Sequence, residues 1–143
     1  MKTKGVFAPE SSTAAQRRYA DLETAVEATI KAAGREQAAT GAEYDTLITD
    51  AALATAHDAL FAALLEVQVG ARTAFENWRA WTAHEVTVVG AEGVDNIAWH
   101  APAFADQAVA LTFQDERAAA VGTLRRQAFG RLYRPLLETG AEA

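Results

Sequence analysis

Apolar positions recur at two periods along this chain, and the switch between them divides it into a helical first half and a mixed second half. Ser11, Ser12 and Thr13 open the first helical stretch, with Thr13 and Gln16 at capping-box spacing. Tyr19, Leu22, Val26 and Ile30 then return at steps of three and four, and Gly34 supplies a stop. Thr40 followed by Glu43 marks a second cap. A helical region, broken or continuous, then runs to about Leu65; Asp50 could begin a fresh helix within it, whose stripe holds Leu53, His57, Leu60, Phe61 and Leu64.

After Leu65 the period shortens to two. "EVQVG" predicts a short strand closed by Gly70, and "ARTAFENWRAW" a brief aromatic helix with Phe75 and Trp78 one turn apart. Three more strands follow at 86–89, 96–100 and 108–113. The last alternates Val109, Leu111 and Phe113 with Ala110 and Thr112. Their linkers, "GAEGVD" and "APAFAD", are short enough for hairpins, so the pattern predicts a three-stranded antiparallel meander covered by a long helix from about Asp115 to Leu137. The expectation is an α+β fold in a single domain, residues 1–143, with one core.

Charge narrows the partners. The chain of 143 residues holds 19 acids against 13 bases, a net charge of −6, so its surface as a whole repels a nucleic-acid backbone. The exception is local: from Asp115 to Leu137 five arginines face two acids, making that helix about +3 against about −9 for the remainder. There is no cysteine, which excludes disulfides and thiolate chemistry. Neither a leader-like apolar run nor a long apolar span stands out, so the expected setting is cytoplasmic, with no membrane.

Two polar residues fall on apolar stripes. On a helical wheel Val121, Leu124, Ala128, Leu132 and Leu136 share one face; Arg126, Arg131 and Arg134 lie off it, and Arg125 lands near its middle. A buried guanidinium needs a carboxylate, backbone carbonyls or a bound anion, unless it snorkels to water. Glu66 and Asp95 are the candidate internal partners. His57 poses the same question, and its commoner answer is a core histidine with each ring nitrogen hydrogen-bonded. His57-Asp58 matches the dipeptide of metal-dependent phosphohydrolases, but that chemistry needs an earlier histidine and none precedes residue 57.

His84 and His100 could approach across strands with Glu85 or Asp95 nearby. Adjacent strand residues face opposite ways, however, so the spacing assigns no metal site. No glycine-rich phosphate loop, GxSxG elbow or HExxH helix occurs. The residues that could line a ligand site are therefore Arg125, His57, Glu66, Asp95, His100 and Arg126, with no catalytic set and no cofactor assigned.

The segments "KGVFAP", "DALFAALLEVQVG", "VDNIAWHAPAFAD" and "TFQDERAAAVGTLRRQAFGRLYR" resemble a family of small haloarchaeal proteins that is known only as a domain of unknown function. The likeness covers nearly the whole chain and is weakest between residues 34 and 48. It implies a salt-rich cytosol and supplies no activity. A net charge of −6 is lighter than the acidic surplus usual in that group, which implies either a surface covered by a partner or a mild salt adaptation.

An aspartate opening a strand (Asp95), a hairpin, a second strand and a helix bearing Gln127 are also similar to the core of the PD-(D/E)xK nucleases. In those enzymes the second strand carries Glu-x-Lys; Thr112 and Gln114 stand at the matching positions, so metal-dependent cleavage would be lost and binding alone retained. The leading expectation is a non-enzymatic interaction or scaffold protein, self-associating or with a protein partner. The alternative is a phosphate-ligand or nucleic-acid binder using Arg125 and the basic closing helix.

Overall fold

The computed structural model describes residues 1–139. Its backbone divides into two compact units, Arg17–Phe61 and the combination of Met1–Gln16 with Ala62–Ala143. Helix α1 spans Ser12–Gln37 and helix α3 spans Asp50–Leu64.

Helix α1 starts two residues earlier than the capping-box reading. Ser11 Oγ accepts the Ala14 N–H at 3.0 Å, and the Gln16 amide reaches the Leu136 carbonyl at 3.4 Å instead of folding back as a cap. Gly34 does not end the helix either. It is a close-approach site, because a Cβ there would lie 2.6 Å from Ile48 Cδ1. Thr40 does cap α2 (Gly41–Leu47), its hydroxyl accepting the Glu43 N–H at 3.1 Å. Thr49 does the same for α3 through the Ala52 N–H at 3.0 Å. Within Arg17–Phe61, Tyr19 of α1 stacks on His57 of α3 with ring centroids 3.8 Å apart and meets Phe61 edge-on at 5.5 Å.

The larger unit is built on a mixed five-stranded sheet. Its strands are β1 (Lys2–Lys4), β2 (Val67–Ala71), β3 (Glu85–Val89), β4 (Asn96–His100) and β5 (Gln107–Phe113), in the order β1-β2-β4-β5-β3. The class is α+β, but the three later strands are not a meander. Strands β4 and β5 pair antiparallel, whereas β3 pairs parallel with β5 on the far side. The six-residue linker after β3 is long enough to cross two strand spacings of roughly 5 Å each, leaving the slot that β5 fills. Strand β5 belongs in that central slot because Ala108, Val109, Ala110 and Leu111 are all buried, the run of apolar residues expected of a strand covered on both faces. Strands β1 and β2 extend the sheet on the other side of β4.

Helices cover the two faces. Phe75 of α4 (Arg72–Trp81) packs with Ile97, Trp99 and Ala110, with Trp78 and Val86 at the fringe of this cluster. The opposite face, carrying His100, meets the closing helix, whose Ala120, Val121, Leu124 and Ala128 are buried. That helix is not one uninterrupted α-helix from 115 to 137. It runs as α5 (Arg117–Ala128), a π-turn (Phe129–Tyr133) and α6 (Arg134–Thr139). The wider turn delays the following residues on the wheel, so Tyr133 is fully buried.

Candidate functional site

The polar centre of the larger unit is the carbonyl end of α3. A helix leaves its last carbonyls without intrahelical partners, and here the Leu64 carbonyl and the two carbonyls just beyond the helix end each find a donor. The Leu64 carbonyl accepts the N–H groups of Val6 and Phe7 at 3.0 and 2.9 Å, and the Glu66 N–H returns to the Phe7 carbonyl at 2.8 Å. The Leu65 carbonyl accepts Arg125 Nε at 3.0 Å, and the Glu66 carbonyl accepts His100 Nδ1 at 2.7 Å.

Arg125 therefore meets backbone oxygen, and no ion pair joins it to the carboxylate of Glu66 or Asp95 among the described residues. A cation at a helix carbonyl terminus is favoured by the helix dipole. Partial burial pulls the guanidinium pKa below its ordinary value. Gly5 makes this approach possible. Its φ is +101°, and a Cβ there would press on the Leu65 carbonyl oxygen and lie 2.8 Å from Arg125 Nη2. Gly5→Ala is expected to lower stability by about 2 kcal/mol or more, read as a shift in urea midpoint, because both the backbone and the Arg125 contact are strained.

His100 links this end of α3 to the closing helix. Its Nδ1–H donates to the Glu66 carbonyl, which leaves Nε2 to accept the Tyr133 hydroxyl at 2.7 Å. The ring is 3% exposed. Burial, only partly offset by the Glu66 hydrogen bond, lowers its pKa from 6.5 to about 4, so the imidazole is neutral at pH 7. Burial also raises the Tyr133 phenol well above its ordinary value. The phenol is thus a donor held in place, and both ring nitrogens are occupied.

The other predicted residues lie elsewhere. His57 Nε2 is 2.6 Å from the Tyr19 carbonyl, and Tyr19 donates its hydroxyl to Asp58 at 2.6 Å, all within Arg17–Phe61. Arg126 is exposed and donates to Thr123 Oγ1 at 3.1 Å. Asp95 is exposed just before β4, its carbonyl accepting the Arg72 N–H at 2.7 Å. His84 Nε2 donates to the Pro102 carbonyl at 2.9 Å and its Nδ1 takes the Thr82 hydroxyl at 2.9 Å, so it does not join His100 around an ion. Among the described residues no group of three His, Cys, Asp or Glu side chains could hold a metal.

Two surface features were not singled out by sequence reasoning. One is a groove of about 470 Å³ at the end of β4, bordered by Trp78, Trp99, His100, Glu10, Glu66 and Gln68 among others. The other is the outer edge of β3. The Glu85 N–H bonds to the Asp106 carbonyl, and in a parallel ladder alternate residues turn to the same neighbour. Thr87 and Val89 thus face β5 with their backbone groups, while Val86 and Val88 direct N–H and C=O outward. Val88 is 40% exposed, and Trp81, shortly before this strand, is 89% exposed.

Among the described residues no single helix is long and apolar enough to cross a membrane. A family described as a family of unknown function (DUF5809) matches residues 6–134, and the chain belongs to it. No curated protein and no solved structure matches the chain.

Proposed function

For a member of a family without an assigned activity, we propose a non-enzymatic interaction protein that associates with a second copy of itself by pairing the outer edges of β3. The carrying observation is the contrast between the two edges of the sheet. Strand β1 is guarded by Lys2 and Lys4, charges of the kind that discourage edge-to-edge pairing. Strand β3 reads Glu-Val-Thr-Val-Val, rich in β-branched residues and without lysine or proline.

Antiparallel pairing about a two-fold axis at Thr87 sets Val86 opposite Val88 of the other copy. Those are the two residues whose backbone groups point outward, so four new hydrogen bonds form. Glu85 falls opposite Val89, and no like charges meet. Val86 and Val88 lie on the α4 face, so the pair extends the cluster of Phe75, Ile97, Trp99 and Ala110 across the axis.

The interior polar groups support a structural use of the fold's chemistry, since Arg125, His57, His84 and His100 each hold backbone carbonyls. In the salt-rich cytosol that a haloarchaeal origin entails, the screening length shrinks to about 3 Å at 1 M salt, and repulsion between chains of net charge −6 fades. Association should then strengthen as salt rises. Nucleic-acid binding by the basic helix would show the opposite trend.

Sedimentation equilibrium in moderate and high salt tests this reading. The expected result is a dimer favoured by salt, converted to monomer by Val88→Lys with its circular dichroism unchanged. A wild-type protein that sediments as a monomer at every loading concentration, or a Val88→Lys dimer as tight as the wild type, overturns it.

A further inference from the structure

We infer that the groove between α1 and α3, within Arg17–Phe61, binds a linear aliphatic polyamine, its ammonium groups meeting Glu23, Glu27 and Asp50 and one of them donating to Nδ1 of His57. The groove has a volume of about 340 Å³, within the range of small-molecule sites, and every residue bordering it belongs to this one unit. Tyr19, Glu23 and Glu27 follow at steps of four on α1, so they share a face; Asp50, Leu53, Ala54 and His57 do the same on α3. The Tyr19 ring, stacked on His57, fixes one end of the groove.

The carboxylates of Glu23, Glu27 and Asp50 have no ion pair or hydrogen bond among the described residues, and no lysine or arginine borders the groove. Like charges one turn apart on a helix repel, and a bound cation relieves them. His57 and Asp50 stand seven residues apart, about 10 Å along α3, so the polar groups are strung along the groove and not gathered at a point. Among the described residues no three such side chains could hold a metal ion. A chain whose charges are spaced by methylenes fits the string, and Leu53 and Ala54 offer those methylenes apolar surface.

His57 supplies the second half of the argument. It is 6% exposed, and its Nε2–H donates to the Tyr19 carbonyl at 2.6 Å, which leaves Nδ1 as an acceptor. That atom has no partner among the described residues. Trp99 Nε1 is the one unpaired polar side-chain atom among them that is sealed from solvent, so Nδ1 keeps an opening, and His57 borders this groove. Polar atoms of buried side chains are paired in the great majority of cases, and an outside donor would complete this ring. An acceptor at the end of a row of unpaired carboxylates suits a cation that also carries N–H groups, which a primary or secondary ammonium does and a quaternary one does not.

Spermidine, butylamine and hexamethonium separate the contributions. They are titrated into the full chain at mildly alkaline pH and fixed ionic strength, followed by calorimetry and by the ring-nitrogen resonances of the histidines. Spermidine is expected to saturate and to move the His57 Nδ1 resonance upfield, as when this atom accepts a hydrogen bond. Butylamine, with one charge, and hexamethonium, with two charges and no N–H, should each bind about tenfold more weakly, and hexamethonium should leave that resonance in place. Glu27→Gln with Asp50→Asn should weaken spermidine by about tenfold. Glu36→Gln with Asp45→Asn removes the same charge from outside the groove and should leave binding unchanged, circular dichroism being that of the wild type in both variants. Failure of spermidine to saturate the wild type, an unmoved Nδ1 resonance, equal binding of butylamine or hexamethonium, or equal losses in the two double variants overturns the inference.

Discussion

Acidification from pH 6.5 to pH 4 is expected to remove on the order of 3 kcal/mol of folding stability through His100. In the unfolded chain the imidazole takes up its proton near 6.5, whereas in the fold it resists until about 4. Between those values the unfolded state binds more protons and is favoured as the pH falls. The contribution is complete above 6.5, lost through the window, and level again below 4. Urea unfolding across this range reads the slope directly, and His100→Leu should flatten it. Tyr133→Phe should cost about 1–3 kcal/mol at neutral pH, because it leaves buried Nε2 without its donor. A wild-type slope that survives in His100→Leu would assign the acid sensitivity to other groups.

Phe75→Ala is expected to cost 3–5 kcal/mol, about the range for a fully buried aromatic truncated to alanine. Phe75 is 1% exposed and stands between α4 and the sheet, 5.3 Å from Trp99 and 5.8 Å from Trp78 between ring centroids. Its removal opens a cavity between Trp78, one turn further along the same helix, and Trp99 of β4, which is fixed in the sheet. Phe75→Leu should recover more than half of the loss by refilling that space. Equilibrium denaturation of both variants checks the ordering; a loss below about 1 kcal/mol for Phe75→Ala would show that α4 does not anchor the sheet.

Much of the architecture was legible because it follows from local periods. The apolar spacing from Tyr19 to Ile30, the Thr40 cap, the start at Asp50 and the shift to period two after Leu65 each describe an element by its own residues. Pairing was less legible. Ala110 alternates with the larger apolar residues of β5 and is itself buried, and a small apolar residue on that second face was the signal that β5 lies inside the sheet and not at its edge. Strand β1 has three residues, two of them lysines, too few for any period to emerge.

Arg125 shows the same limit at the site. The wheel placed it correctly on the inward face of a helix, but the partner is the Leu65 carbonyl, and a carbonyl carries no side-chain signature in the sequence. Tyr133 was hidden differently. A wheel assumes 3.6 residues per turn throughout, and the π-turn at Phe129–Tyr133 breaks that assumption where the partner of His100 sits.

Amide hydrogen exchange at β3, followed as protein concentration is raised in high salt, addresses the function most directly. Thr87 and Val89 bond inward to β5 and should be protected at every concentration. Val86 and Val88 should exchange quickly in dilute protein and become protected as copies pair, with the protection abolished by Val88→Lys. If Val86 and Val88 exchange quickly at all concentrations, or are already protected in the monomer, the outer edge of β3 is not where this protein meets itself.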